Sequence, residues 1–485
     1  MSIANALNNA VSGLTAASRG AEVVSSNLAN ALTPGYARRE LDLSPRVLAG
    51  GGGGVHVDGV SRIVSDRVLA DFRLANAGLA RSSVSHTFYS SLEGALGQPQ
   101  DGNSLSALMT GLETALISAA SRPDSDVRLR SVFDAAEQLA GKIGAISDMI
   151  QDSRTQADRQ IDMQVRSLNE DLEKVAQLNQ QIIVERANNR DSSSLEDARQ
   201  AVIDKISSVV PVREMPRDNG RIALFTAGGA VLLDGKTPTG IGFEPTGRLT
   251  PDIDQSSALL GRLTIDGEAV TPTQMSLFSG GSLSELFKLR DVDGVAAQAM
   301  IDGIARELHD RFADPAMDPT IAAGGPGLFA DGNGSFDPAN ERGLAARLRV
   351  NAAVDESRGG ELWRIRDGIN APSKGDEGAS ELINDLSRAM TAIRPYASGT
   401  APAGEGSIAT LVASALSGTS ASRLTVETQK TRDMALQASL QDAIFADAVD
   451  SDREMEMLLQ LEKAYAANAK VIQAVNEMLD NILRI

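Results

Sequence analysis

Apolar residues recur at alternating steps of four and three near both ends of this chain. That spacing places them on one side of a helix and is typical of the seam of a coiled coil. Each series covers about 45 Å of helix at 1.5 Å per residue. Neither helix can bury its seam alone, so the sequence predicts that the two pair with each other or with copies of themselves in neighbouring molecules. The front series is Ile3, Leu7, Ala10, Leu14, Ala17, Ala21, Val24, Leu28 and Ala31, and the rear series is Leu458, Leu461, Tyr465, Asn468, Ile472, Val475, Leu479 and Ile482.

The first 35 residues are almost uncharged, since only Arg19 and Glu22 carry charge. Ala, Ser and Asn fill most other positions, and small neutral side chains let helices approach closely on several sides. Asn and Ser are also poor helix formers, so a flexible tail that orders only on assembly is the alternative. We expect both chain ends to be disordered in the free monomer.

Composition narrows the possible partners and the compartment. The formal net charge of −18 disfavours nucleic acid and anionic membranes, which both require a basic surface. The 485 residues include no cysteine, which excludes disulfides and zinc–thiolate sites. No apolar run is long enough to span a bilayer, and no cleavable signal peptide is visible, so export would need another route.

The predicted fold class is mainly α with a β insertion, in an elongated multi-domain chain. Residues 1–35 and 450–485 form the terminal helices, which pair as a coiled coil. Residues 36–211 and 281–449 form a helical bundle that includes a short β-hairpin at 36–60. Residues 212–280, rich in Gly, Pro and Thr with short alternating runs, form a small inserted β domain. A glycine- and proline-rich surface loop is expected over 313–340, and a last helix from about 420 almost to the end.

The search for reactive sites predicts no catalytic, cofactor-binding or metal site. Residues 229–237 resemble a phosphate-binding loop, but they have five residues between the glycines where the motif needs four. A hairpin turn at Asp234 and Gly235 is the favoured interpretation. A calcium-loop pattern lacks its glycine and its closing glutamate, which Phe336 and Arg342 replace. Its oxygen-bearing side chains are those of Asp331, Asn333, Ser335 and Asp337. The three histidines, His56, His86 and His309, have no metal-ligand spacing.

Two segments resemble the end signatures of bacterial flagellar axial proteins, the rod, hook and hook-associated family. The rear segment runs from Leu458 to Ile472 and the front one from Ser26 to Tyr36. Within the family the chain is most similar to the hook–filament junction members, because residues 54–63 and 280–291 also match their pattern. The middle matches loosely, and its β insertion is short for the family. The front signature residues are Asn27, Leu28, Ala29, Asn30, Thr33, Pro34, Gly35 and Tyr36.

This resemblance implies a structural protein whose end helices form the inner layer of a tube. The implied partners are the hook protein, a second junction protein, flagellin-side axial proteins and copies of the chain itself. It also implies an extracellular place in the flagellum after export without a cleaved signal, and a cytoplasmic chaperone that holds the C-terminal helix beforehand. A hook or distal rod subunit is the alternative. An enzyme carried on the filament is disfavoured, because residues 212–280 show no plausible catalytic nucleophile, no paired catalytic bases and no cluster of metal ligands.

Asn468 is the polar exception in the rear series. A polar residue in a helix seam sets register and partner at some cost in stability. We therefore predict that Asn468→Leu stabilises helix pairing and loosens its specificity.

Overall fold

The computed structural model describes residues 3–33, 35–48, 51–332, 334–398 and 404–483. The helices are α1 (Ile3–Ala29), α2 (Asp66–Leu96), α3 (Leu105–Ser121), α4 (Asp126–Ala187), α5 (Ser193–Val209), α6 (Pro272–Met275), α7 (Ser282–Lys288), α8 (Gly294–Phe312), α9 (Leu344–Arg347), α10 (Arg364–Asp367), α11 (Glu381–Thr391), α12 (Ile408–Ala446) and α13 (Ser451–Leu483). The strands are β1 (Arg39–Leu48), β2 (Gly51–Arg62), β3 (Val212–Pro216), β4 (Ile222–Thr226), β5 (Val231–Leu233), β6 (Ile241–Phe243), β7 (Leu263–Ile265), β8 (Glu268–Ala269), β9 (Phe329–Asp331), β10 (Leu348–Val350), β11 (Arg394–Pro395) and β12 (Glu405–Gly406).

Helix α4 is the longest helix of the bundle. Its 62 residues reach about 93 Å at 1.5 Å per residue. Ile161, Val165, Leu168 and Leu172, which step at four and three, are all buried against neighbouring elements. Helices α2, α3, α5, α7 and α8 pack along α4, and α12 packs along α2. This arrangement of long helices confirms the elongated helical fold.

The β insertion lies against α4 as two small antiparallel sheets, in the strand orders β3-β4-β5 and β6-β7-β8. Asn179 of α4 donates from Nδ2 to the Ile222 carbonyl at 2.9 Å, and Asn169 donates to the Ile241 carbonyl at 2.6 Å. Leu224 belongs to the same apolar cluster as the buried face of α4. The sheets and the bundle therefore share one core, and the boundaries of a separate β domain stay a prediction.

The prediction of a surface loop over residues 313–340 is wrong for the second half of that segment. Phe329 opens β9, which pairs with β10, and its side chain is fully buried. Its ring meets that of Phe312 edge to face, with centroids 5.3 Å apart. A segment with a glycine-rich composition thus enters the core, because one aromatic residue anchors it there.

A buried arginine sets the path of the chain into α12. The Arg311 guanidinium donates to the carbonyls of Ala389 and Ala392, at the end of α11, and to that of Gly406, just before α12. One side chain thus satisfies carbonyls at the C-terminal end of α11 and the carbonyl of a residue just before α12.

The last stretch consists of two helices, α12 and α13, and the expectation of one almost unbroken helix is wrong here. Asp450 lies in the break and accepts from the Asp452 amide at 3.0 Å, as an N-cap does. The fold class, mainly α with small sheets and paired terminal helices, is confirmed.

Candidate assembly surface

Helices α1 and α13 run antiparallel in a heptad register. The amide of Asn27 lies 3.0 Å from the carboxylate of Glu454. Seven residues towards the N-terminus, a Cβ placed on Gly20 would lie 2.9 Å from a methyl carbon of Leu461. Seven residues further, a Cβ on Gly13 would lie 2.7 Å from the amide nitrogen of Asn468. The contacts thus repeat every seven residues in both helices, and glycine lets the side chains of α13 pack directly onto the backbone of α1.

The structure divides the predicted seam residues into a covered and an uncovered set. Ala10, Ala17, Val24 and Val475 are buried between the helices. The second set is less covered: within it Leu461 and Asn468 face Gly20 and Gly13 across the seam, and the other residues lie at its margin. Ile3, Leu7, Leu14, Leu458, Leu461, Asn468 and Ile472 are half-buried, and Leu28, Tyr465, Leu479 and Ile482 are 36%, 46%, 37% and 57% exposed. Asn468 also donates to its own Ala464 carbonyl. Its register role stays a prediction.

Sequence reasoning missed the central row of the seam on α1. Gly13, Gly20 and Asn27 form this row, and none of them belongs to the apolar series. A search for large apolar residues passes over glycine, although glycine at seven-residue spacing is the signal of close helix approach. Glu454, which faces Asn27, was missed because a charged residue is an unusual occupant of a buried helix seam.

The front signature forms a tight turn after α1. The Asn30 side chain donates to the Ser26 carbonyl at 2.9 Å, and the Thr33 hydroxyl donates to the Asn30 side-chain oxygen at 3.3 Å. Gly35 has a φ of 80°, in the left-handed region where a Cβ is unfavourable. Pro34 lies outside the described residues. The turn reverses the chain and brings Tyr36 back onto the end of α1.

A polar anchor, made of Asn27, Tyr36, Arg38, Arg39 and Glu454, joins the two chain ends at this turn. The Asn27 amide donates to Glu454 at 3.0 Å and to the Arg39 carbonyl at 2.9 Å. Its oxygen accepts from the Tyr36 hydroxyl at 2.9 Å and from the Arg39 amide at 3.0 Å. Arg38 donates to the other Glu454 oxygen at 2.8 Å. Asn27 therefore uses all four of its hydrogen-bonding positions.

The side chains of this anchor are buried, so each of them requires its hydrogen-bonding partner. The side chains of Glu454 and Arg38 are 1% and 12% exposed, and Asn27 is also 1% exposed. A buried carboxylate without partners is strongly unfavourable. Glu454 can therefore dock beside α1 only when the signature turn has already placed Arg38. The anchor makes the seating of α13 conditional on the folding of the turn.

The base of the β1–β2 hairpin connects the anchor to the bundle through α5. Arg39 and Arg62, at the two ends of the hairpin, both pair with Asp197, at 3.3 Å and 2.7 Å. Burial would raise the pKa of neighbouring Glu196, but hydrogen bonds from Ser192 and Arg186 outweigh it and bring that pKa below its ordinary value. The terminal helices, the hairpin and the bundle thus meet in one network of ion pairs.

The residues of the motifs that the sequence analysis rejected as reactive sites form ion pairs, caps and polar contacts. Asp234, in the turn that resembles a phosphate loop, accepts from Arg217 at 2.8 Å. Asp331 pairs with Arg347 at 2.7 Å, and Asp337 caps a short 3-10 turn, while Asn333 lies outside the described residues. His309 is buried and meets Asp310 at 2.9 Å.

Two further features, a cluster of metal ligands and a helix that could cross a membrane, are absent from the described residues. These residues contain no group of three or more His, Asp or Glu side chains placed to hold a metal ion. Within the same ranges, no helix has the length and apolar character needed to cross a membrane.

Comparisons with known proteins match the chain at both ends and in the middle. The model of the flagellar hook-associated protein FlgK helical domain matches residues 89–316. Those of the flagella basal body rod protein and of the flagellar basal body rod FlgEFG protein C-terminal match residues 7–36 and 446–485. Flagellar hook-associated protein 1 of Bacillus subtilis is 23% identical over 514 aligned positions, which cover 98% of this chain and 97% of the relative. The chain is thus similar to flagellar hook-associated protein 1 along nearly its whole length.

Other similar proteins align over less of their length. Flagellar hook-associated protein 1 of Salmonella typhimurium is 24% identical over 318 positions, which cover 63% of this chain and 55% of the relative. The structure of the flagellar hook junction protein FlgK from Burkholderia pseudomallei has a TM-score of 0.45 and 21% identity, and the match covers 56% of this chain and 47% of that one. The chain thus spans about half the length of these two proteins.

The two end matches meet at the polar anchor. Asn27 and Tyr36 lie in the first matched segment, and Glu454 lies in the second. The residues that the rod-type models recognise at opposite ends of the sequence are therefore in direct contact in this chain.

Proposed function

We propose that this chain is a structural component of the bacterial flagellum that joins the hook to the filament by assembling through its terminal helices. The observation that carries the proposal is the paired α1–α13 element, whose seam is filled by small residues while large apolar side chains stay uncovered. Val11 and Leu28 on α1 are 47% and 36% exposed, and Leu32, in the turn after α1, is 96% exposed. Exposed apolar side chains at this density mark a surface that other subunits cover.

The partners follow from the same element. Copies of the chain, the hook protein, a second junction protein and flagellin-side axial proteins are the proposed neighbours of α1 and α13. Before export the same apolar face of α13 needs protection in the cytoplasm, and a chaperone that binds this helix would provide it. The final location is the outside of the cell, at the hook–filament junction.

A mechanical role requires no catalysis, and we propose that the protein is not an enzyme. The side chains considered above for reactive sites, Asp234, Asp331, Asp337 and His309, are engaged in caps and polar pairs. Assembly depends instead on buried apolar area, at roughly 1.5–3 kcal/mol for each large side chain removed from water.

A hook or distal rod subunit is the second candidate. It is favoured by the two rod-type matches at residues 7–36 and 446–485. The helical-domain match over residues 89–316 favours the junction role instead, because it covers the part of the chain that the rod-type matches leave out.

Deletion of the gene with electron microscopy of the cells tests the proposal. We expect complete hooks without filaments and flagellin shed into the medium, with filaments restored by a plasmid copy. A truncated rod or an absent hook would support the second candidate, and normal filaments would overturn both.

A further inference from the structure

The heptad register of α1 and α13 assigns each remaining row of side chains to one side of the pair. The central row consists of Gly13, Gly20 and Asn27 on α1 and of Glu454, Leu461 and Asn468, which face them, on α13. In both helices, the residues four positions after the central row are rotated from it in the same sense about the helix axis. Because the helices run in opposite directions, these two flanks come to lie on the same side. The rows three residues on from the central row lie together on the other side.

The first side carries a continuous apolar strip, which we name the leucine edge. Its α1 part lies next to the buried Ala10, Ala17 and Val24, and its α13 part lies four residues on from the Glu454 row. By register, Leu7 lies within two residues of the level of Ile472, and Leu14 lies within two residues of the level of Tyr465. The leucine edge consists of Leu7, Leu14, Leu28, Leu458, Tyr465, Ile472 and Leu479, all half-buried or exposed.

The opposite side carries a second apolar row on α13, which we name the methionine shoulder. Three of its members, Met457, Val471 and Met478, are 38%, 43% and 47% exposed, and Ala464 completes it. On this side the hairpin covers α1: the Ser12 hydroxyl accepts from the Val55 amide at 3.2 Å. The shoulder therefore lies beside the hairpin but stays uncovered.

The back of α13 is charged, which limits docking to the two apolar rows. Glu456, Lys463, Lys470 and Glu477 recur every seven residues on the face away from α1, and all four are exposed. The face of α13 that is turned towards α1 is three rows wide, and α1 covers only the middle row. The two outer rows can therefore contact two more neighbours.

We propose that the leucine edge of one copy docks onto the methionine shoulder of a second copy of this chain. Both surfaces repeat every seven residues, about 10.5 Å along the helix, so their side chains interdigitate in step. The surfaces differ and lie on opposite sides, so the contact is heterologous and repeats from copy to copy. Such a contact builds a ring or a helical array, as an assembly role requires, and the inference rests on that proposed function.

The absence of native cysteine allows a direct test by disulfide mapping in flagella isolated from complemented cells. Edge variants Leu14→Cys, Tyr465→Cys and Ile472→Cys are each co-expressed with shoulder variants Ala464→Cys, Val471→Cys and Met478→Cys. We expect cross-linked dimers in the mixtures and none from any variant alone. Dimers from single edge variants, or equal cross-linking of Lys463→Cys on the charged back, would overturn the proposal.

A poisoning experiment tests the directionality of the contact. Ile472→Glu removes the edge but keeps the shoulder, so this subunit joins an array and blocks the next addition. It should weaken that contact by more than about tenfold and remove filaments even beside wild-type protein. The double variant Val471→Glu/Ile472→Glu has neither surface, stays out of the array and should not poison.

Equal poisoning by the single and double variants, or poisoning by neither, would contradict the inference. Circular dichroism of the purified variants shows whether the exposed substitutions leave the monomer fold unchanged. If deletion of the gene removes the filaments but the predicted cross-links do not form, this inference alone is overturned and the proposed junction role is retained.

Discussion

Asn27 makes four hydrogen bonds, to the Glu454 carboxylate, the Tyr36 hydroxyl and the backbone amide and carbonyl of Arg39. It is buried at the end of α1 and contacts Glu454 from the far end of the chain. Its amide donates and its oxygen accepts, so a residue with only one of these functions cannot replace it. This explains why an asparagine stands at this point of the front signature.

We expect Asn27→Leu to destabilise the seating of α13 by roughly 1–3 kcal/mol, since it leaves the Glu454 carboxylate and the Arg39 amide short of partners. Tyr36→Phe is the matched control. It removes one hydrogen bond to the same asparagine and should cost about 0.5–1.5 kcal/mol. Hydrogen exchange of the α13 amides measures both, and equal protection in the two variants would refute the central role of Asn27.

Asp302 of α8 gives the chain a pH-dependent stability. It is buried and accepts from the amides of Gly343 and Ala345, at 2.8 Å and 2.9 Å, and from Gln298. Burial raises the pKa of Asp302 to about 6, although these hydrogen bonds oppose the shift. The folded state therefore holds a proton that the unfolded state releases at lower pH.

The stabilisation from this proton is complete below pH 4 and is lost as the pH rises through about 6. We expect the free energy of unfolding of the wild type to fall between pH 4 and 7 relative to that of Asp302→Asn, which cannot ionise. The size should be about 2–3 kcal/mol, from 1.36 kcal/mol per pKa unit. Urea denaturation at four pH values measures it, and parallel curves for the two proteins would disprove the assignment.

At the scale of the elements, the α1–α13 pair depends on glycine. Gly20 is buried where the Leu461 side chain crosses α1. We expect Gly20→Val to push the helices apart and to destabilise the pair by about 1–3 kcal/mol.

Gly111→Ala in α3 is its control, because a Cβ there meets no atom within 4 Å. It should stabilise the protein by roughly 0.5–1 kcal/mol through helix propensity. Thermal unfolding followed by circular dichroism distinguishes the two, and a Gly20→Val protein as stable as wild type would show that the seam is loose.

The junction of α7 and α8 shows how the bundle holds a charged core. A π-helical turn over Leu289–Asp293 places Arg290 against Asp158 of α4 at 2.6 Å, with both side chains almost fully buried. Arg290 also donates to the Gly261 carbonyl at 2.9 Å. The extra residue of the turn thus fixes the β insertion to the bundle, since a regular helix would rotate the arginine by about 100°.

For the whole molecule, we expect limited proteolysis of the free monomer to trim both ends and to leave about residues 45–440. The pair of terminal helices buries a narrow row of small residues and leaves the larger ones uncovered, so it gains little free energy in a single copy. The same ends should resist protease in isolated flagella. A monomer resistant at both termini would show that the ends are complete without neighbours.

The sequence by itself determined the helical class, the pairing of the chain ends and the position of the β insertion. Heptad spacing and turn residues are local signals, readable wherever a helix presents one face to a partner. The front signature likewise located Asn27 and Tyr36, although it did not show what they bind.

Only the tertiary structure decided which row of each helix faces the other, and that Glu454 and Arg38 meet at Asn27. The large residues of the apolar series look like the natural seam, but on α1 it is Gly13 and Gly20 that receive the side chains of Asn468 and Leu461, while Leu7 and Leu14 lie at the margin. The partner of a buried charge lies more than 400 residues away in sequence. No local pattern encodes such a contact, because its free energy exists only when the fold has removed both groups from water.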